Sequence, residues 1–325
     1  MKRILAFLLS IFIGAILFVW IGESIGWREI KNSFLVFSGW HGLLILLVTF
    51  LAILVMTWRW REILKGVGVI LSFGEVFKLS LASFSFSIFL PMAIFSGDIF
   101  RAITLKEKNQ IRYSKGASSI VIERVLEWTV RLLIVFFAFL FLVVKLGSSF
   151  RLGKVFWLVF LVLFGAIFFF YFKALKRESF LKIFIRNDNH SLFEVEREIF
   201  DFFKNKRNIL IKGILATLFR NLVLGFRVWL LLFFLGKNVS FSSLLSVLGV
   251  YYLALLTPIP TALGTHEAFQ AFTFSVFQIG SATATAFTMI TRAADIILAL
   301  GGLAVLYSIG IGFIKSILLK NNSKI

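Results

Sequence analysis

Residues 257–267 read TPIPTALGTHE and interrupt an otherwise apolar stretch with two of the chain's three prolines, a glycine, a histidine and a carboxylate. The third proline, Pro91, opens a second interruption, PMAIFSGDIFR at residues 91–101, which holds Asp98 and ends in Arg101. The interval from Pro91 to Pro258 is the same as that from Gly97 to Gly264. Each interruption precedes a helical segment with an arginine at nearly the same distance, Arg124 in one case and Arg292 in the other. Proline lacks an amide donor and clashes one turn back, so Pro91, Pro258 and Pro260, with Gly97 and Gly264, are read as helix breaks. Three features at one offset predict a duplicated unit with a broken helix in each copy, a pattern that marks binding sites in transporters.

Hydrophobic residues make up 59% of the 325-residue chain, and the mean hydropathy is +0.96. That balance predicts an all-α integral membrane protein, a single membrane domain over 1–325 with about eight spans plus broken or re-entrant elements. The longest polar stretch, residues 173–212, is too short for a separate soluble domain. The formal charge of +19 would suggest nucleic-acid binding in a soluble protein. Here it fits basic cytoplasmic loops facing anionic headgroups, so lipids and no nucleic acid are the expected partners, protein partners remaining unknown. The absence of cysteine excludes disulfides, thiolate metal sites and a cysteine nucleophile.

The first half is placed at about residues 1–172. Residues 4–21 follow Lys2-Arg3 and read as a retained first span with its N-terminus inside. A second span at about 42–57 ends at Trp58 and Trp60, beside Arg59 and Arg61, which read as an interfacial belt. Residues 79–95 are apolar and serine-rich up to Pro91, and Ser96-Gly97-Asp98 reads as the start of a short helix whose free amides suit an anion. Basic residues flank 73–100 on both sides, in the loop read at 101–115 as well as before it. The whole element is therefore expected to be re-entrant.

Residues 117–144 predict a long helix carrying Glu123, Arg124, Glu127 and Arg131. At about 100° per residue these fall within a single arc of about 100°. Each such charge costs roughly 2.5–3.5 kcal/mol at the bilayer centre, so the stripe must face protein or water. It serves either as a structural ion-pair seam or as a cavity lining. Residues 155–172 form a plain span, and the connector at 173–208 includes an Asn187-Asp188-Asn189 turn, a capping box from Ser191 to Glu194 and an amphipathic helix lying in the interface.

The second half, about 209–315, starts with a span at 209–235 carrying Arg220 and Arg227 on one side. Residues 241–256 lead into the break, a helix resumes over 268–289, and 291–314 is the last span, with Arg292 and Asp295 near its start. Across both halves, Arg101, Arg124, Arg131, Arg220, Arg227 and Arg292 outnumber Asp98, Glu123, Glu127, Glu267 and Asp295 by six to five. Arginine forks hold phosphate in two-point contacts, so an anionic headgroup is the natural guest.

No nucleophile elbow, P-loop, metal-ligand cluster or cofactor motif is present, and no catalytic residue is assigned. His266-Glu267 as an acid–base pair fits poorly, because adjacent helical residues point about 100° apart.

PMAIFSGDIFRA, VIERVLEWTVRLL, LLTPIPTALGTHEAF and MITRAADI together resemble the lysylphosphatidylglycerol synthase transmembrane-region family, a flippase-like domain, over about residues 5–315. The resemblance implies a membrane bundle related to lipid translocation, with some relatives tied to lipid-linked glycan assembly. The sequence ends at Ile325 with no aminoacyltransferase domain after the bundle, so synthase activity is not expected. The expected function is translocation of an anionic amphiphile (phospholipid, glycolipid or polyprenyl phosphate) in the cell membrane. Arg101, Arg124, Arg131 and Arg292 would bind the headgroup, with Asp98, Glu123, Glu127, Glu267 and Asp295 as counter-charges or proton carriers. A membrane glycosyltransferase and an accessory subunit of lipid-linked glycan assembly stay open as alternatives.

Overall fold

A computed structural model describes residues 23, 39–89, 96–107, 109–147, 153–176, 178–179, 190–255 and 264–322. The expected first span at 4–21, the three prolines and the Asn187-Asp188-Asn189 turn lie outside them. Ten helices are described in chain order: α1 (Trp40–Gly66), α2 (Phe73–Phe89), α3 (Ser96–Glu107), α4 (Tyr113–Leu146), α5 (Gly153–Lys176), α6 (His190–Asn205), α7 (Arg207–Phe234), α8 (Phe241–Ala254), α9 (Thr265–Val276) and α10 (Ser281–Asn322). No strand occurs among the described residues. Helices α1, α4 and α7, and the Thr283–Tyr307 part of α10, are long and apolar enough to cross a membrane. The 27 residues of α1 alone span about 40 Å, more than the roughly 30 Å of a hydrocarbon core.

The duplication legible at the breaks extends to the helices. Nearly the same interval separates the starts of α1 and α7 (Trp40, Arg207), of α2 and α8 (Phe73, Phe241), of α3 and α9 (Ser96, Thr265) and of α4 and α10 (Tyr113, Ser281). Packing is reciprocal: α1 lies against its own counterpart α7, α2 against α10, and α4 against α8. Small residues let the crossed pairs approach closely, as at interfaces in lipid where tight packing replaces a hydrophobic drive. A Cβ on Gly249 of α8 would collide with Ala138 of α4, and one on Gly302 of α10 with Ser85 and the Leu81 backbone of α2. Serines bridge both crossings, Ser246 donating to the Ala138 carbonyl at 3.3 Å and Ser85 to the Ala299 carbonyl at 2.6 Å.

The two broken elements enter from opposite ends. Residues 68–71, ahead of α2, share a surface recess with residues 109–115, between α3 and α4. The first hairpin therefore leaves and returns at the end where α4 begins, in line with the re-entrant reading. Residues 237–243, around the start of α8, meet residues 277–279, at the end of α9, beside Phe141, Val144 and Lys145 at the other end of α4. The second copy is inverted with respect to the first, the arrangement of many secondary transporters.

Several expectations change. The helix expected over 268–289 stops at Val276, and a turn through Gln278 (φ 56°) and Gly280 (φ 103°) starts α10 at Ser281. Arg292 and Asp295 consequently sit about three turns inside α10 and not near a helix start. The loop read at 101–115 is helical up to Glu107, which places Arg101 in α3 and buries it. Trp60 and Arg59 are fully buried and form no interfacial belt, although Trp58 is exposed. Helix α6 starts at His190, and its apolar side is covered by protein: Ile199, Phe200, Phe202 and Phe203 pack with Trp60, Ile63, Leu64 and Ala174. Gly66 leaves the space that the Phe202 ring fills.

The two break glycines answer different demands. A side chain at Gly97 would collide with Ser83 and Ser87 of α2, so it permits the hairpin to close. Gly264 holds a left-handed φ of 77° at the head of α9, and Glu267 reaches back to accept from its N–H at 2.7 Å.

Candidate functional site

The charged stripe of α4 faces inward. Glu123 and Glu127 are buried at 1% and 3% exposure, against the apolar character of the helix's other sides. Buried carboxylates demand partners, and arginines arrive from three other helices. Arg59 of α1 donates to Glu123 Oε1 at 2.7 Å, Glu127 Oε2 at 3.3 Å and Thr217 Oγ1 at 3.2 Å. Arg101 of α3 donates to Glu123 Oε2 at 2.6 Å and to Asp98, while its guanidinium lies over the Trp60 ring at 4.4 Å. Arg124 forks onto both oxygens of Asp98 and reaches Glu127 Oε2 at 3.2 Å. Arg220 of α7 donates to Glu127 Oε1 at 2.6 Å, and Arg131 Nη2 approaches the same oxygen at 2.5 Å. Glu127 thus serves four arginines.

A smaller set occupies the second copy. Arg227 of α7 donates to Asp295 Oδ1 at 2.8 Å and to the Thr291 carbonyl at 2.9 Å. Arg292 pairs with Glu267 Oε1 at 2.8 Å, and buried His266 packs edge-on to Tyr251.

Between the sets lies a cavity of about 210 Å³. Its lining includes the charged Arg101, Glu123, Arg124, Glu127, Arg131, Arg220, Arg227 and Asp295 with Tyr251 and Tyr252, and the apolar Ala52, Ile53, Met56, Phe84 and Leu224. These positions fall near the middles of α1, α4 and α7, at mid-depth of the bundle. A cavity lined by both charged and apolar side chains at that depth suits a charged headgroup with an apolar tail.

Of the residues singled out in sequence, Asp98, Arg101, Glu123, Arg124, Glu127 and Arg131 join one network. Asp295 reaches the same cavity through Arg227, while Glu267 and Arg292 pair with each other and are not among its lining residues. At the α3 start, where an anion seat was anticipated, the Asp98 carboxylate pairs with Arg101 and Arg124. Arg59 escaped notice because its neighbours suggested an interface. Its signal was the repeat: the interval from Arg59 to Arg227 equals that from Arg124 to Arg292 and that from Glu127 to Asp295. Among the described residues no group of three His, Asp or Glu side chains is placed to hold a metal ion.

A UPF0104 membrane protein of Methanocaldococcus jannaschii is 27% identical over 274 residues, covering 79% of this chain and 80% of the relative. No solved structure matches the chain. The family model described as lysylphosphatidylglycerol synthase TM region matches residues 5–302, nearly the whole length, and the chain belongs to that family.

Proposed function

We propose that this protein carries an anionic amphiphile between the leaflets of the cell membrane, as a single membrane domain whose two inverted halves enclose the headgroup. The observation that carries the reading is the mid-depth cavity, whose lining holds five arginines (Arg101, Arg124, Arg131, Arg220, Arg227) against three carboxylates (Glu123, Glu127, Asp295). Cations in excess inside an apolar bundle are costly until an anion joins them. The apolar lining residues Ala52, Ile53 and Met56 would accept the first methylenes of a tail whose remainder stays in lipid. The sequence contains no ATP-binding P-loop, so movement would be passive or coupled to an ion.

The test is leaflet exchange, in liposomes that hold the purified protein, of fluorescent lipids that include phosphate monoesters (phosphatidic acid, a polyprenyl phosphate), an anionic phosphodiester and a zwitterionic phosphodiester. Exchange selective for anionic over zwitterionic headgroups, and lost in Arg220→Ala, is the expected result. Equal exchange of both, or none of either with folded protein, would overturn the reading.

A further inference from the structure

The two copies of the repeat share a framework of ion pairs. Asp98 with Arg124 corresponds to Glu267 with Arg292, and Glu127 with Arg59 corresponds to Asp295 with Arg227. Acid and base balance within this framework. The first copy adds one further matched couple, Glu123 with Arg101 at 2.6 Å. Arg131 and Arg220 remain. At the interval that relates Arg59 to Arg227, their repeat counterparts are Ala299 and Ala52, so both break the internal symmetry.

Arg131 and Arg220 converge from α4 and α7 on a single oxygen, Glu127 Oε1, their one carboxylate contact among the described residues. The other oxygen of Glu127 is already taken by Arg59 and Arg124. The side chains of Arg131 and Arg220 are each 15% exposed and both line the cavity, and the buried Nε atom of each, like those of Arg59 and Arg101, has no hydrogen-bond partner among the described residues. Among the described residues seven arginines meet five carboxylates across both sets, and the surplus of two charges gathers around Glu127, where Arg131 and Arg220 have no second carboxylate to share. A buried uncompensated charge is expensive, and two adjacent like charges more so. Arginine forks recognise tetrahedral oxyanions through several oxygens at once. A phosphodiester supplies one negative charge, whereas a phosphate monoester carries about −1.5 to −2 at pH 7.

We infer that the cavity selects a phosphate monoester over a phosphodiester, with Arg131 and Arg220 holding the dianionic group opposite Glu127. The inference deepens the amphiphile reading above and rests on it for the apolar tail. The Arg131 guanidinium also lies 4.9 Å from the Tyr252 ring, whose hydroxyl is tied to Asn221, so its fork is held in place before the ligand arrives.

The experiment measures binding by the full-length protein in neutral detergent to three probes: dodecyl phosphate, its methyl ester and inorganic phosphate. Dodecyl phosphate should bind about ten- to a hundredfold tighter than the methyl ester, the scale of one charge-assisted hydrogen bond. Arg131→Gln and Arg220→Gln should each erase that preference. Both should also raise the unfolding temperature of the ligand-free protein, because each removes a surplus cation that a purely structural arginine would not be. Equal affinity for the monoester and the methyl ester overturns the monoester inference while leaving the amphiphile reading intact. Inorganic phosphate binding as tightly as dodecyl phosphate keeps the dianion site but overturns the lipid reading. Binding of none of the three by folded protein overturns both.

Discussion

The first copy of the repeat gathers Glu123, Arg101, Arg131 and Arg220 around a framework that the second copy keeps bare. In the second copy Arg227 meets Asp295 and the Thr291 carbonyl, and Arg292 meets Glu267. In the first, the counterpart of Asp295 is Glu127, contacted by four arginines from three helices. The shared pairs show what the fold needs to place charges at mid-bundle. The additions show where it departs from that need, and they face the cavity. The largest expected effect follows from this contrast. Glu127→Ala should cost about 3–5 kcal/mol, the range for breaking a buried ion pair from one side, because it strands Arg131 and Arg220 and takes one partner each from Arg59 and Arg124. Asp295→Ala strands only Arg227, which keeps its bond to the Thr291 carbonyl, and should cost distinctly less. Thermal unfolding in detergent checks both; an Asp295→Ala protein less stable than Glu127→Ala would break the comparison.

The crossed helix pairs offer a more even contrast. Gly249 on α8 and Gly302 on α10 each allow one copy's helix to close on the other's, and each faces backbone as well as side chain. Gly249→Val and Gly302→Val should each lose about 1–3 kcal/mol, the cost of overpacking a filled interior. The Gly302→Val loss is expected toward the upper end, since Ser85 and the Leu81 backbone both crowd an added carbon there. At Gly249 only Ala138 does, and the Ile134 carbonyl stays at ordinary contact distance. A loss confined to one variant, again by thermal unfolding, would show that the two crossings bear unequal loads.

The repeat was legible in the sequence because prolines and glycines punctuate it at a fixed offset, and the α4 stripe was legible because four charges share one face of an apolar helix. Arg59 was hidden by its setting: tryptophans beside arginines at a helix end look like a membrane interface, and only tertiary packing from α6 buries Trp60. The stop at Val276 was hidden for a different reason. The stretch from Ala268 to Met289 carries no charged residue, and a single glycine at 280 weakly signals the turn that separates α9 from α10. Which arginine pairs with which carboxylate cannot be read from spacing at all, since Arg220 and Glu127 are far apart in the chain and meet only through the packing of α7 on α4.

The smallest effect lies at the helix starts, where the same two copies can be compared without touching the cavity. Ser72 and Ser240 occupy equivalent positions of the repeat, ahead of α2 and α8. Ser240 accepts from the Ser243 N–H at 3.3 Å, an ordinary cap. Ser72 accepts from the Glu75 N–H at 3.3 Å while Glu75 accepts from both the N–H and the hydroxyl of Ser72, so the first copy has a reciprocal box. Replacing either serine by alanine should cost about 0.5–2 kcal/mol, with Ser72→Ala toward the upper end because the Glu75 carboxylate also loses a donor. Both sites are exposed, so exchange activity in liposomes should stay unchanged in both variants. If Ser72→Ala abolished exchange without loss of stability, the entry of the first hairpin would belong to the working machinery, and the division between framework and additions would have to be redrawn there.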